Sequence, residues 1–171
     1  LPTLLAALAA ATVLAACSSG GGGGGGDPTE PGNPSCAEGT ESYDSTFAGI
    51  QTKIFERHGC TQDACHGSAK SGGLDLTPAN AFASIYGVRA TSSALSRIEP
   101  GDEERSFLWL KLAAATRPGQ YQIAGSPMPS GQAPLSEDEL ELMRLWIYAG
   151  APETGVVNGS EKLLGACLPE P

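Results

Sequence analysis

The sequence predicts a small, loop-rich, all-α domain held behind an N-terminal stretch that has no core of its own. Three observations carry this expectation. Apolar residues recur at helical spacing in four places, and no stretch alternates convincingly with period two. Glycine and proline are abundant, at 23 and 13 of 171 residues, so much of the chain is turn or linker. Residues 18–35 hold a glycine tract and spaced prolines, from which no packed core can form.

Residues 1–16, LPTLLAALAAATVLAA, carry no charge. They resemble the apolar part of a secretory signal and are short for a membrane span, which needs roughly 20 residues. No Met or basic region precedes them, so the sequence is expected to begin inside that signal. Leu14-Ala15-Ala16-Cys17 resembles the lipobox of bacterial lipoproteins, which implies a lipid on Cys17 and export to the periplasm or cell surface. Ser18-Ser19, Gly20–Gly26 and DPTEPGNPS then form a linker to residue 35. Eighteen such residues reach roughly 23 Å root-mean-square, at about 5–6 Å × √n, enough to hold a domain just off a bilayer.

The domain is expected to span residues 36–167, followed by a short tail, 168–171. Cys36 and Cys167 bracket it and are expected to pair as a disulfide, closing a loop of about 130 residues worth roughly 2–5 kcal/mol. Inside this frame, Ser45 can cap a helix from Thr46 to about Arg57, with Phe47, Ile50 and Ile54 on one face. Thr77-Pro78 predicts a short helix through Tyr86, stopping at Gly87. Asp102-Glu103-Glu104 are expected in the first turn of a third helix that continues through Phe107, Leu108, Trp109 and Leu112. Ser136-Glu137-Asp138-Glu139 reads as a capping box opening the last helix. Its apolar residues Leu140, Met143 and Ile147 share a face, and Gly150 with Pro152 ends it.

Charge narrows the function. Ten Lys and Arg against 19 Asp and Glu give a net −9. This excludes general nucleic-acid binding, which needs clustered cations, and disfavours electrostatic adhesion to anionic lipid. Any membrane attachment therefore falls to the lipid alone. Partners with basic docking surfaces are favoured, in salt-dependent encounters.

The chemistry concentrates directly after the first helix, in His58-Gly59-Cys60-Thr61-Gln62-Asp63-Ala64-Cys65-His66-Gly67. Two cysteines followed at once by a histidine resemble the attachment motif of c-type haem, with four residues between the thiols instead of two. The extra residues must bulge outward for both sulfurs to reach a porphyrin edge. A second axial ligand is commonly a methionine thioether. Of the two methionines, Met143 reads as core, whereas Met128 lies in Ser126-Pro127-Met128-Pro129-Ser130. Its flanking prolines stiffen that loop and leave little backbone for hydrogen bonding.

The blocks IFERHGC, CHG, GGLDL (Gly72–Leu76), IEPGDEERSFLWLKL, SPMPSG and LSEDELELMRLWIYAGAP together resemble the planctomycete-type cytochrome c domain, a relative of class I cytochromes c. The matching pieces run from about Ile50 to Pro152. The resemblance implies a cytochrome c-like fold around one covalent haem c on Cys60 and Cys65, with His66 proximal and Met128 distal. It implies electron transfer between redox proteins rather than catalysis, since both axial positions are filled. The haem is expected between the first and last helices and the Met128 loop, with Trp109, Trp146, Phe55 and Leu145 as candidates for its apolar shell.

Other readings stand beside this one. A Cys60–Cys65 disulfide would make the domain a haem-free binding or spacer module. Zinc on His58, Cys60, Cys65 and His66 uses legitimate ligand types, but nine consecutive residues can hardly build a tetrahedral cage. If Met128 does not reach the iron, an open sixth position would permit peroxidase-like or gas-sensing chemistry. His58 is otherwise expected as a solvated residue at a helix C-terminus.

Overall fold

The computed structural model describes residues 41–165. The predicted signal and linker, Cys17, and the Cys36–Cys167 pairing lie outside them. The described chain is helix-rich, and among its residues only isolated bridges occur in place of strands. None of its helices is long and apolar enough to cross a membrane.

Helix α1 (Thr46–Ile50) begins as expected: the Ser45 hydroxyl accepts from the Ala48 N–H at 3.1 Å. Its continuation, Gln51–Glu56, winds as a π-helix. Arg57 N–H donates to the Thr52 carbonyl and Cys60 N–H to that of Phe55, steps of five residues. Helix α2 (Ala81–Ile85) starts later than Pro78 predicts. The reason is local: the Thr77 hydroxyl and the Asn80 amide both donate to the Asp75 carboxylate, at 2.6 and 3.2 Å, holding the intervening residues in a turn.

Helix α3 (Phe107–Thr116) corrects another expectation. Asp102, Glu103 and Glu104 form a separate turn before it, with the Arg105 N–H donating to Asp102 Oδ1 at 3.1 Å. The Ser106 hydroxyl accepts from Glu99 N–H and donates to Asp102 O, so the N-cap side chain serves that turn and not the helix. Helix α4 (Glu137–Tyr148) has the capping box complete: Ser136 Oγ accepts from Glu139 N–H, and Glu139 accepts from Ser136 N–H. Helix α5 (Ser160–Leu164) has no forerunner in the sequence reading. It is held from afar, by a 2.7 Å hydroxyl pair between Thr46 and Ser160 and by Leu164 packed over Gly49.

Helix α4 sits at the centre, against α1, α3 and α5. Its Leu140, Leu142, Met143, Trp146 and Ile147 are all at most 1% exposed, so its apolar face is spent on helix packing. Trp146 stacks on Phe47 at 5.3 Å, and Phe47 meets Phe82 edge-on at 5.3 Å. This core fixes the frame on which the cysteine–histidine loop and the Met128 loop are mounted.

Asp75 ties that frame to the GGLDL segment. It is buried and accepts from Thr77 N–H, the Thr77 hydroxyl, Asn80 and Lys70. The Thr77 hydroxyl above all, then Lys70, brings its carboxyl down to about 2 from an ordinary 3.8. A depressed carboxyl stabilises the fold above pH 3.8, and that contribution is lost as pH falls from there toward 2. Asp75→Asn is therefore expected to flatten the fall in stability across that window. Urea midpoints at pH 2.5 and 5 measure it; an unchanged midpoint difference would show that Asp75 is not the group responsible.

Candidate functional site

The π-helix delivers the chain straight into the cysteine loop. The loop closes on itself, since the Cys60 carbonyl accepts from His66 N–H at 3.0 Å and the Gln62 carbonyl from both Cys65 and Gly67 N–H. Gln62, Asp63 and Ala64 are exposed, so the extra residues between the thiols are carried outward. Cys60 and Cys65 are both free thiols and half-buried. Burial, then the neighbouring Cys65, pushes the Cys60 thiol up to about 11 from an ordinary 9. Alkylation of Cys60 in the haem-free chain is accordingly expected to rise with pH until about 11. An iodoacetamide rate profile levelling near 9 would contradict that environment.

His66 is oriented by GGLDL. Gly72 and Gly73 take positive φ values of 66° and 67°, turning the chain back toward the histidine. The Ser71 carbonyl lies 3.0 Å from His66 Nδ1. A carbonyl only accepts, so Nδ1 carries the hydrogen and Nε2 keeps a free lone pair. Burial lowers the pKa of His66 below its ordinary 6.5, which favours the neutral, metal-ligating form. Next to it, the Leu76 N–H donates to the His66 carbonyl, and Leu74 and Leu76 enter the core.

Met128 is held more firmly than its prolines alone predict. Its N–H donates to the Lys111 carbonyl at 3.0 Å, while Lys111 Nζ donates to the Ser126 carbonyl at 2.8 Å. Two bonds thus tether the loop to α3, correcting the expectation of a backbone little used in hydrogen bonding.

His66, Cys60, Cys65 and Met128 come together on one cleft. A cavity of about 300 Å³ is lined by Phe55, Cys60, Cys65, His66, Leu76, Leu108, Leu112 and Met128, among others. A second, of about 180 Å³, shares His66, Ser71, Leu108 and Met128 with it and adds Leu74, Arg97, Phe107 and Lys111. Neither wall contains a carboxylate, in a chain with 19 of them. Such a lining excludes water from an apolar ligand without placing negative charge against it.

Several expectations need correcting here. No residue of α4 lines either cavity; α3 supplies that wall through Phe107, Leu108, Lys111 and Leu112. Of the four candidate shell residues only Phe55 faces the cleft, because Trp109 and Trp146 are core and Leu145 lies in a groove beside Tyr148. His58 is not solvated: its Nε2 lies 3.1 Å from Glu139 Oε1, and it lines the larger cavity. Among the described residues no three His, Cys, Asp or Glu side chains gather as a metal-binding group, so His58, Cys60, Cys65 and His66 do not surround one point.

Sequence reasoning missed Arg97, Lys111 and Leu112 as wall residues. Helix α3 is apolar all round, so periodicity could not say which face meets a cleft; a lone Lys111 within that run was the available signal. For Arg97 the sequence offered none. No family model, curated protein or solved structure matches this chain.

Proposed function

We propose that the chain is an exported, lipid-anchored monohaem c-type cytochrome that carries electrons at the periplasmic face of a bacterial membrane or at the cell surface. The observation that carries this reading is the meeting of His66, Met128 and both free thiols on one acid-free cleft. The donor set suits haem c: two thiols for covalent attachment, an imidazole with Nε2 available, and a neutral thioether. The fold then belongs with class I cytochromes c, built around that cleft. Cys17 would bear the lipid, and a Cys36–Cys167 disulfide would close the domain.

Bound there, haem c supplies a one-electron iron couple. The chain's own residues do the rest. Ser71 fixes the His66 tautomer, and the Lys111 tethers hold Met128 at a set place. Phe55, Leu74, Leu76, Leu108 and Leu112 exclude water, which favours the less charged, ferrous state. With two protein ligands there is no open position for substrate, so the reading is an electron carrier and not an enzyme. The −9 charge suits redox partners with basic docking surfaces.

A pyridine haemochrome spectrum of the full chain, exported from a host with c-type maturation machinery, tests this. A c-type α-band is expected, shifted in Cys60→Ala or Cys65→Ala, with Met128→Ala altering the native spectrum. A colourless product with Cys60 bridged to Cys65 by mass spectrometry would sink the electron-transfer reading and leave a haem-free binding module.

A further inference from the structure

The two halves of the cleft differ in charge. The larger cavity holds the thiols and no Lys or Arg; the smaller holds Arg97 and Lys111. Arg97 is 8% exposed, an uncommon burial for a guanidinium. Its bonds go to neutral acceptors only: Nη1 donates to Ser84 O at 2.7 Å and Ser84 Oγ at 3.3 Å, and Nη2 to Gly72 O at 3.1 Å. A guanidinium has five N–H donors, so some remain uncommitted. Lys111 likewise spends its ammonium on the Ser126 carbonyl, with the Phe107 ring 5.2 Å away. Among the described residues neither cation pairs with a carboxylate. Burial lowers the pKa of both. Two half-desolvated cations without an anion, in a strongly acidic protein, are costly unless something negative completes the site.

We propose that this smaller cavity is the anionic end of the ligand site, where Arg97 and Lys111 hold the two propionate carboxylates of the porphyrin. The assignment rests on the haem reading above and adds to it. The cleft selects a macrocycle with an apolar edge toward Cys60 and Cys65 and an acidic edge toward Arg97. Arg97 has a second task, since the same guanidinium donates to the carbonyl of Gly72, the residue directly after Ser71, whose own carbonyl orients His66. A carboxylate there would thus brace the turn that aims His66.

Mesoporphyrin IX lacks both iron and vinyl groups, so neither axial ligation nor thiol addition contributes to its binding. The full chain, produced without haem maturation, is titrated with it and with its dimethyl ester, following porphyrin fluorescence. The diacid is expected to bind about tenfold to a hundredfold more tightly than the ester, as charge-assisted hydrogen bonds would give. Lys111→Gln, which keeps an N–H for Ser126, and Arg97→Lys are expected to shrink that ratio. Circular dichroism identifies a variant that has lost its fold, and the ligand comparison in the unaltered chain stands without it. Equal binding of diacid and ester would overturn the carboxylate assignment while leaving the porphyrin cleft intact. Failure of both to bind would overturn it too, and the haemochrome spectrum then judges the haem reading separately.

Discussion

Trp146→Ala is expected to cost the domain about 3–5 kcal/mol, the usual range for deleting a fully buried aromatic. Trp146 is 0% exposed, stacks on Phe47, and donates from Nε1 to the Pro152 carbonyl at 2.8 Å. Its removal opens a cavity at the centre of the molecule and orphans a carbonyl at the end of α4. The indole is walled off from the cleft, so the loss should appear as stability and not as altered ligand chemistry. Urea unfolding of the full chain measures it; a loss under about 1 kcal/mol would mean the surrounding helices collapse onto the gap. Trp146→Phe, which keeps part of the stacking, should recover part of the loss.

The second large effect is expected at Gly67, directly after His66. A Cβ there would stand 2.4 Å from the Thr61 carbonyl oxygen and 3.0 Å from the carbonyl of Gln62, all backbone atoms of the cysteine loop. No side chain can rotate aside to relieve that contact. Gly67→Ala must therefore push the loop open, at about 1–3 kcal/mol if the loop absorbs it as an overpacked core would. The Gly67 and Cys65 N–H bonds to Gln62 should weaken, and Cys60 should become more exposed. Faster alkylation of Cys60 in the haem-free chain, together with a lower urea midpoint, is the expected pair of results. Wild-type rates and midpoint would show that the loop is looser than its hydrogen bonds imply.

What could be read in the sequence was whatever is decided locally. The Ser136–Glu139 capping box and the Ser45 cap need only four neighbouring residues, and both form. The loop histidine, its cysteines and Met128 were legible because their residue types are scarce and their spacing is meaningful. Elements settled by distant partners were not legible. Helix α5 has five residues and no side-chain cap, and depends on Thr46, over a hundred residues away. The acids at 102–104 suit a helix start by charge, yet Ser106 uses its hydroxyl to close a turn instead. The wall of the cleft followed the same rule: α3 and not α4 supplies it, because α4 exhausts its apolar face on three other helices.

The π-helical winding of Gln51–Glu56 makes the molecule sensitive to the number of residues more than to their kind. Each residue of an α-helix advances the chain by about 100°, so one residue too many or too few swings everything downstream by that angle. The wider winding absorbs such an excess immediately before Cys60, and the Phe55–Cys60 hydrogen bond is where the count is settled. Thr52 illustrates the point, being exposed and free to be many residue types. Its deletion, however, would leave composition and core almost untouched while turning the bearing of Cys60. In that segment substitutions are cheap to tolerate and insertions or deletions are not, so its length acts as a phase setting for the loop that follows.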